Sequence, residues 1–380
     1  MKRDVLRRRV LFSLGAGAAE AEELLAYNIN RFALPAKAVT LPLPDEPFVA
    51  AWKSYLTEGR QKGMFACLRN RLVQLQFPVR EGVSQTTAYR QATRKGLPTS
   101  AMPEATGLTL KDLEGVHLAL HSTAAGHIPV LTVSEREDFV ALVRALSMRN
   151  EPCPVPDSMG AAMVAGLNNW DRIRSLKEKW QETHPQDKAG QGWREAFRRI
   201  IPQKELYQDR LILLSNGPYS DVPAQELGLK PDEWRRRSLL IRREHECTHY
   251  FTRRVFGIMQ DRLLDELLAD FMGIVAANGT FRSDWFLRFM GLEHFPDYRV
   301  GGRLENYRGQ PPLSTKAFRV LQKLVRQAAI NLEHFTTPSL QGPKNIEKST
   351  LLTGLAQMTL EELGSSEAET MFHKALENTF

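Results

Sequence analysis

Cysteine is scarce in this chain: Cys67, Cys153 and Cys247 are an odd number, widely spaced, with no Cys-x-x-Cys pair. That is not a disulfide framework. It reads as a protein of a reducing compartment, so the cytoplasm is the expected location. Long apolar runs are also missing. No stretch approaches the roughly 20 uncharged apolar residues that a spanning helix requires. The nearest, Leu211–Leu214 with its flanks and Leu263–Ala277, are interrupted by Asn216 and by Asp265, Glu266 and Asp270. No membrane span is expected, and no internal repeat is visible.

The composition that remains is that of a globular protein: 380 residues, 42% hydrophobic and 25% charged, enough for two or three domains' worth of core. A net charge of +7 raises the question of nucleic acid, until the charge is located. Lys2, Arg3, Arg7, Arg8 and Arg9 against Asp4 put +4 into the first nine residues. Arg235, Arg236, Arg237, Arg242 and Arg243 form a second cluster, and no aromatic residues interleave with a basic stripe. These are solvated basic faces, so no nucleic-acid partner is expected. Arg7–Arg9 followed by Val10–Ala19 has the outline of an export signal, which is the alternative to a cytoplasmic location. The short apolar part, holding Ser13 and two glycines and leading into Glu20, Glu22 and Glu23, favours a basic-headed helix of the mature protein.

Along the chain, residues 1–33 read as helix and 34–44 as a proline-punctuated linker. Residues 47–71 have helical spacing, and Leu72–Pro78 reads as a short strand. Val116–Leu120 and Ile128–Val133 read as strands around a turn, with His117 and His121 as strand residues, and a helix follows Ser134. Met159–Ala162 reads as tight helix packing. Leu211–Leu214 is a strand ended by Ser215-Asn216-Gly217-Pro218. Pro231 opens a helix to Phe256 with Gly257 as its stop, and a second helix spans about Gln260–Ala277. The rest is helical, with loops at Tyr298–Gln310 and Thr336–Lys344. Three segments are expected: a mostly helical 1–105, a metal-binding core 106–280 and a helical 281–380.

The chemistry sits at His245-Glu246-Cys247-Thr248-His249. Two histidines four apart share one helix face and can bind one metal ion. Neutral imidazole is a preferred zinc ligand, and Glu246, one step round, can take a proton from water activated by the metal. A third protein ligand is needed. Seventeen residues past His249, Glu266, Asp270, Gly273 and Ala277 share one face of the next helix. Glu266 is the expected ligand, with Asp270 behind a histidine as its hydrogen-bond partner. Asp265 is expected to point about 100° away. Cys247 reads as an inert buried residue. His294, Arg303 and Tyr307, in a polar Gly-rich loop, are candidate transition-state donors.

His245-Glu246-x-x-His249 followed by Glu266-x-x-x-Asp270 resembles the gluzincin zinc metallopeptidases, the thermolysin-like group, and its Glu-Leu-Leu-Ala-Asp segment resembles the ImmA-type peptidases of bacteria. The wider chain is reminiscent of an uncharacterised bacterial family carrying His-Glu-Cys-Thr-His. The gluzincin resemblance covers about residues 207–278. It implies an α+β, zincin-like core: a small twisted sheet, the His-Glu helix and the glutamate helix beyond. Leu211–Leu214 would be the edge strand that holds an extended peptide. No counterpart of the transition-state histidine of thermolysin-like enzymes is found. The expectation is a zinc hydrolase cleaving a peptide or amide bond, with Zn2+ on His245, His249 and Glu266. The alternatives are a non-haem Fe(II) oxygenase using Fe2+ on the same three ligands, or a non-catalytic protein clamped by zinc.

Overall fold

Proline and glycine interrupt the chain where its helical periodicity fails, and they set the boundaries of an α+β architecture. A computed structural model describes residues 2–34, 39–187, 190–259, 262–341 and 347–377. Two compact units emerge: Met1–Leu41 with Pro218–Phe380, and Pro42–Gly217. This division runs differently from the three consecutive segments expected, because the first helices pack with the last ones. Among the described residues no helix is long and apolar enough to cross a membrane. The first 33 residues form α1 (Lys2–Ser13) and α2 (Ala18–Tyr27), broken at Gly15, whose φ is +91°. The linker's residues 35–38 and the expected helix start at Gln260 lie outside the described residues.

The unit of residues 42–217 opens with α3 (Val49–Lys62), α4 (Met64–Arg71) and α5 (Thr87–Lys95). Strands β1 (His117–Thr123) and β2 (Gly126–Val133) make a hairpin, with α6 (Arg136–Ser147) behind it. β3 (Ala161–Asn168), α7 (Trp170–Thr183), α8 (Gln191–Ile200) and β4 (Gln208–Ser215) complete the unit. The strand order is β1-β2-β4-β3, with β4 parallel to β2 and antiparallel to β3. Three expectations are corrected here. β4 is an inner strand, hydrogen-bonded on both sides, so Leu211–Leu214 offers no free edge to a peptide. Met159–Ala162 leads into β3, whose small residues pair with β4 rather than packing helices. Leu72–Pro78 is also not a strand: Val73–Gln76 is a 3-10 turn. The carbonyls of Gln74 and Phe77 accept from the Asn150 side chain instead of a neighbouring strand.

The other unit holds α9 (Pro231–Val255), α10 (Leu263–Asn278), α11 (Ser283–Met290), α12 (Thr315–Gln341), α13 (Lys348–Ala356), α14 (Leu360–Leu363) and α15 (Ala368–Glu377). Pro231 occupies the first turn of α9, where its missing N–H costs nothing. Asp232 and Glu233 follow it, and Arg253 and Arg254 lie in the last turn, complementing the helix dipole. Gly257, at φ +74°, is the stop. α12 runs through the loop expected at Thr336. The hydroxyls of Thr336 and Thr337 donate to carbonyls four residues back, and Pro338 is accommodated inside the helix. Residues 342–344 of that expected loop lie outside the described residues.

α9 and α10 carry the two histidines and the acidic segment singled out in the sequence. A Cβ on Gly273 would meet the Ile241 carbonyl oxygen at 2.7 Å and the Ile241 Cγ2 at 2.9 Å, so the two backbones nearly touch there. Gly273→Ala should therefore force the helices apart and destabilise the unit by about 1–3 kcal/mol, the usual penalty of overpacking. Denaturant unfolding of the variant beside the wild type measures this; an unchanged midpoint would show that the approach is not tight.

Candidate metal centre

The two histidines and the acidic segment face each other because α9 and α10 run antiparallel, in step. Arg237 donates to the Asn278 side chain, Ile241 meets Gly273, His245 meets Asp270, and His249 meets Asp265 and Glu266. Each advance of four residues on α9 is a retreat of about four on α10. Both helices thus present one ridge of i, i+4 side chains to the other.

At the centre of this seam, His245 Nε2 and His249 Nε2 are 3.1 Å apart. Glu266 brings Oε2 within 3.6 Å of the first and Oε1 within 3.6 Å of the second. Their remaining ring nitrogens are engaged behind. His245 Nδ1 lies 2.9 Å from Asp270 Oδ1 and 3.1 Å from the Tyr219 hydroxyl, and His249 Nδ1 lies 3.4 Å from Asp265 Oδ2. With the His245 Nδ1 proton directed at Asp270, its Nε2 lone pair points inward; His249 Nδ1 approaches Asp265 at ion-pair distance, without hydrogen-bond geometry. Two imidazole nitrogens that close, beside a carboxylate, need a proton or a cation between them.

The donor set fits a metal ion. Tetrahedral ligands at about 2.0–2.1 Å from zinc sit roughly 3.3–3.4 Å from one another, and the three separations here bracket that value. Charge agrees in sign: counted as carboxylates, Asp265, Glu266 and Asp270 bring three negative charges beside the guanidinium of Arg303, an excess that a cation would offset. The excess acts on His249: burial would lower its pKa, but the nearby carboxylates of Asp265, Glu266 and Glu246 outweigh burial and raise it to about 10.

Asp270 is fully buried, which alone would push its pKa up. Arg303, His245 and Tyr219 outweigh that and hold it below the ordinary carboxylate range. Arg303 donates to Asp270 Oδ2 and, through Nη1, to the Tyr219 hydroxyl at 2.9 Å and Ser220 Oγ at 3.1 Å. Tyr219 donates in turn to Asp270 Oδ1 at 2.6 Å. The turn carrying Tyr219 is strained, with Ser220 and Asp221 at φ of +52° and +55°. The Tyr219 amide donates to Ser238 Oγ at 3.0 Å, which ties that turn to α9.

The structure brings together His245, His249, Glu266 and Asp270 as expected from spacing. Glu246 is half-buried next to them, close enough to raise the proton affinity of His249. Arg303 is brought in, but onto Asp270 and Tyr219, which makes it an anchor behind His245. Burial raises the phenol pKa of Tyr307, and the Glu266 carboxylate beside it raises it further against the opposing charge of Arg303. His294 is exposed on the loop after α11, and no described hydrogen bond or ion pair joins it to the cluster. Cys247 is buried, and burial holds its thiol protonated. The expectation for Asp265 is corrected: it is fully buried and backs His249 as Asp270 backs His245. Tyr219 carried no signal in the sequence beyond its place after a turn.

A family model described as "Family of unknown function (DUF7005)" matches residues 9–367, and the chain belongs to that family. No curated protein and no solved structure matches it.

His245→Ala and His249→Ala should each abolish stoichiometric metal binding, since two protein ligands do not hold a typical site. Glu266→Gln should weaken affinity strongly. Asp265→Asn and Asp270→Asn should each cost about 10–100-fold, the range for residues that orient a ligand from behind. Competition titration with a zinc chelator measures all five variants. Wild-type affinity in Asp265→Asn, with a loss in Asp270→Asn, would remove Asp265 from the site.

Proposed function

We propose that this member of the DUF7005 family is a metal-dependent hydrolase that cleaves a peptide or amide bond, holding zinc in the manner of the gluzincins. The observation that carries the reading is the convergence of His245 Nε2, His249 Nε2 and a Glu266 carboxylate, 3.1 to 3.6 Å apart, with Glu246 beside them. Three protein ligands leave a fourth tetrahedral position for water or substrate, which is the arrangement of catalytic rather than structural zinc sites. Zinc, when bound, supplies a Lewis acid that polarises a carbonyl and lowers the pKa of water toward ~7.

The residues of the chain do the rest. Asp270 and Asp265 keep the two imidazoles in the tautomer whose Nε2 atoms face inward. Arg303 and Tyr219 hold Asp270 ionised and in place. Glu246 is the general base that accepts the proton of the attacking water and later gives it to the leaving amine. Tyr307, a neutral phenol beside Glu266, would direct its single O–H at that carboxylate and hold it in orientation.

Glu246→Gln should keep metal and fold while turnover falls by ~10²–10⁴, because glutamine retains the shape but cannot accept a proton. Elemental analysis of the purified protein gives the metal. A broad peptide library incubated with wild type and variant, read by mass spectrometry, gives the activity. Cleavage by the wild type alone supports the proposal. Equal cleavage by both removes Glu246 from the mechanism. Iron in place of zinc, with activity retained in the variant, points to the oxygenase. Zinc with no cleavage in either protein points to a structural clamp.

A further inference from the structure

The unit of residues 42–217 contains a cavity of about 550 Å³, within the range of small-molecule sites. Its lining lies wholly within residues 74–208: edge strand β3 from Met163 to Asn168, part of α5, and the end of α6 with the turn that follows. Strand β3 bulges between Ala165 and Leu167, where Gly166 takes a φ of +80°.

Gln74 lines this cavity and is only 7% exposed. Its Nε2 donates to the Asn168 carbonyl at 3.0 Å, but its Oε1 is buried without a hydrogen-bond partner among the described residues. That oxygen is enclosed by protein, so the polar contacts open to the cavity come from the other lining residues. The charge of the lining is one-sided. Arg94 and Arg149 belong to it, with no Asp or Glu. Both are exposed, and among the described residues neither is paired with a carboxylate. Guanidinium groups so placed suit an oxyanion.

Arg149 is held at the cavity by an unfavourable backbone. It and Asn150 take φ of +55° and +61°, left-handed values at two successive residues that are not glycine. Asn150, fully buried, stakes this turn down. Its Nδ2 donates to the carbonyls of Gln74 and Phe77, each at 3.0 Å, and its Oδ1 accepts from the Tyr89 hydroxyl at 3.1 Å. The same side chain thus fixes the segment carrying Gln74 and the turn carrying Arg149.

We propose that this cavity binds a small oxyanion-bearing molecule, a phosphate monoester or a carboxylate, with its anion at Arg94 and Arg149. Isothermal titration of the full chain tests this in two arms: ribose 5-phosphate and adenosine monophosphate for phosphate, citrate and free glutamine for carboxylate. One arm should bind with a Kd below about 1 mM. Arg94→Gln and Arg149→Asn should each weaken that binding at least tenfold; asparagine tolerates the left-handed backbone, so the turn is kept. Circular dichroism reports the fold of both variants. Failure of every probe in both arms overturns the proposal, as does wild-type affinity in the two arginine variants.

Discussion

Three carboxylates on one helix are buried in the same unit, and the surroundings of α10 are organised around that cost. Asp265 and Asp270 are fully covered and Glu266 is 9% exposed. Buried charge is tolerated only when it is paired and hydrogen-bonded. Asp270 meets Arg303, Tyr219 and His245; Asp265 meets His249; Glu266 meets both imidazoles and Tyr307. One guanidinium does not balance three carboxylates. The histidines lie where the remaining negative potential is concentrated, and the raised pKa of His249 is that potential expressed in protons. The zinc of the proposed function would meet the same potential, so under that proposal metal affinity and proton affinity are two consequences of a single arrangement of charge.

Such an arrangement demands helices that cannot slide. The stepwise match of α9 and α10, from Arg237 with Asn278 to His249 with Asp265, gives the seam its register, and Gly273 lets the backbones come close enough for short carboxylates to reach imidazoles. A second buried ion pair closes the frame elsewhere in the same unit. Arg7 on α1 bonds Glu361 on α14, whose side chain is wholly covered, and also donates to the Leu25 carbonyl. Removing one partner of such a pair typically costs about 3–5 kcal/mol, so the basic first helix is structural in this fold, and its charge is not merely a solvated face.

Helices were the legible part of the sequence. The proline at 231, the apolar spacing and the glycine at 257 bounded α9 closely, because helix signals are local. Strand pairing is not local, and there the reading went astray. Leu211–Leu214 is apolar on both faces, which is what an inner strand requires, yet nothing in it tells which neighbours will flank it. Ala161–Ala165, with little β-branched content, becomes a strand only because β4 offers it a partner. Leu72–Phe77 shows the converse: its strand-like residues form a 3-10 turn, since the carbonyls of Gln74 and Phe77 find a donor in Asn150.

The centre divides along the same line. His245, His249, Glu266 and Asp270 were legible because each pair is related by spacing along a single helix. Asp265 was not, because turning 100° from Glu266 on one cylinder seems to carry it away from the partner. On two antiparallel cylinders that argument fails. The seam advances along both axes at once, so the side chain that belongs opposite His249 lies one rung beyond the one opposite His245. Glu266 stands between those rungs and spans both imidazoles, while Asp265 and Asp270 flank it and reach the outer nitrogens. Two histidines four apart on a helix are thus met by two carboxylates five apart on the antiparallel neighbour, with Glu266 between them. Tyr219 and Arg303 come from turns remote in sequence, and only the buried charge of Asp270 explains why the fold gathers them there.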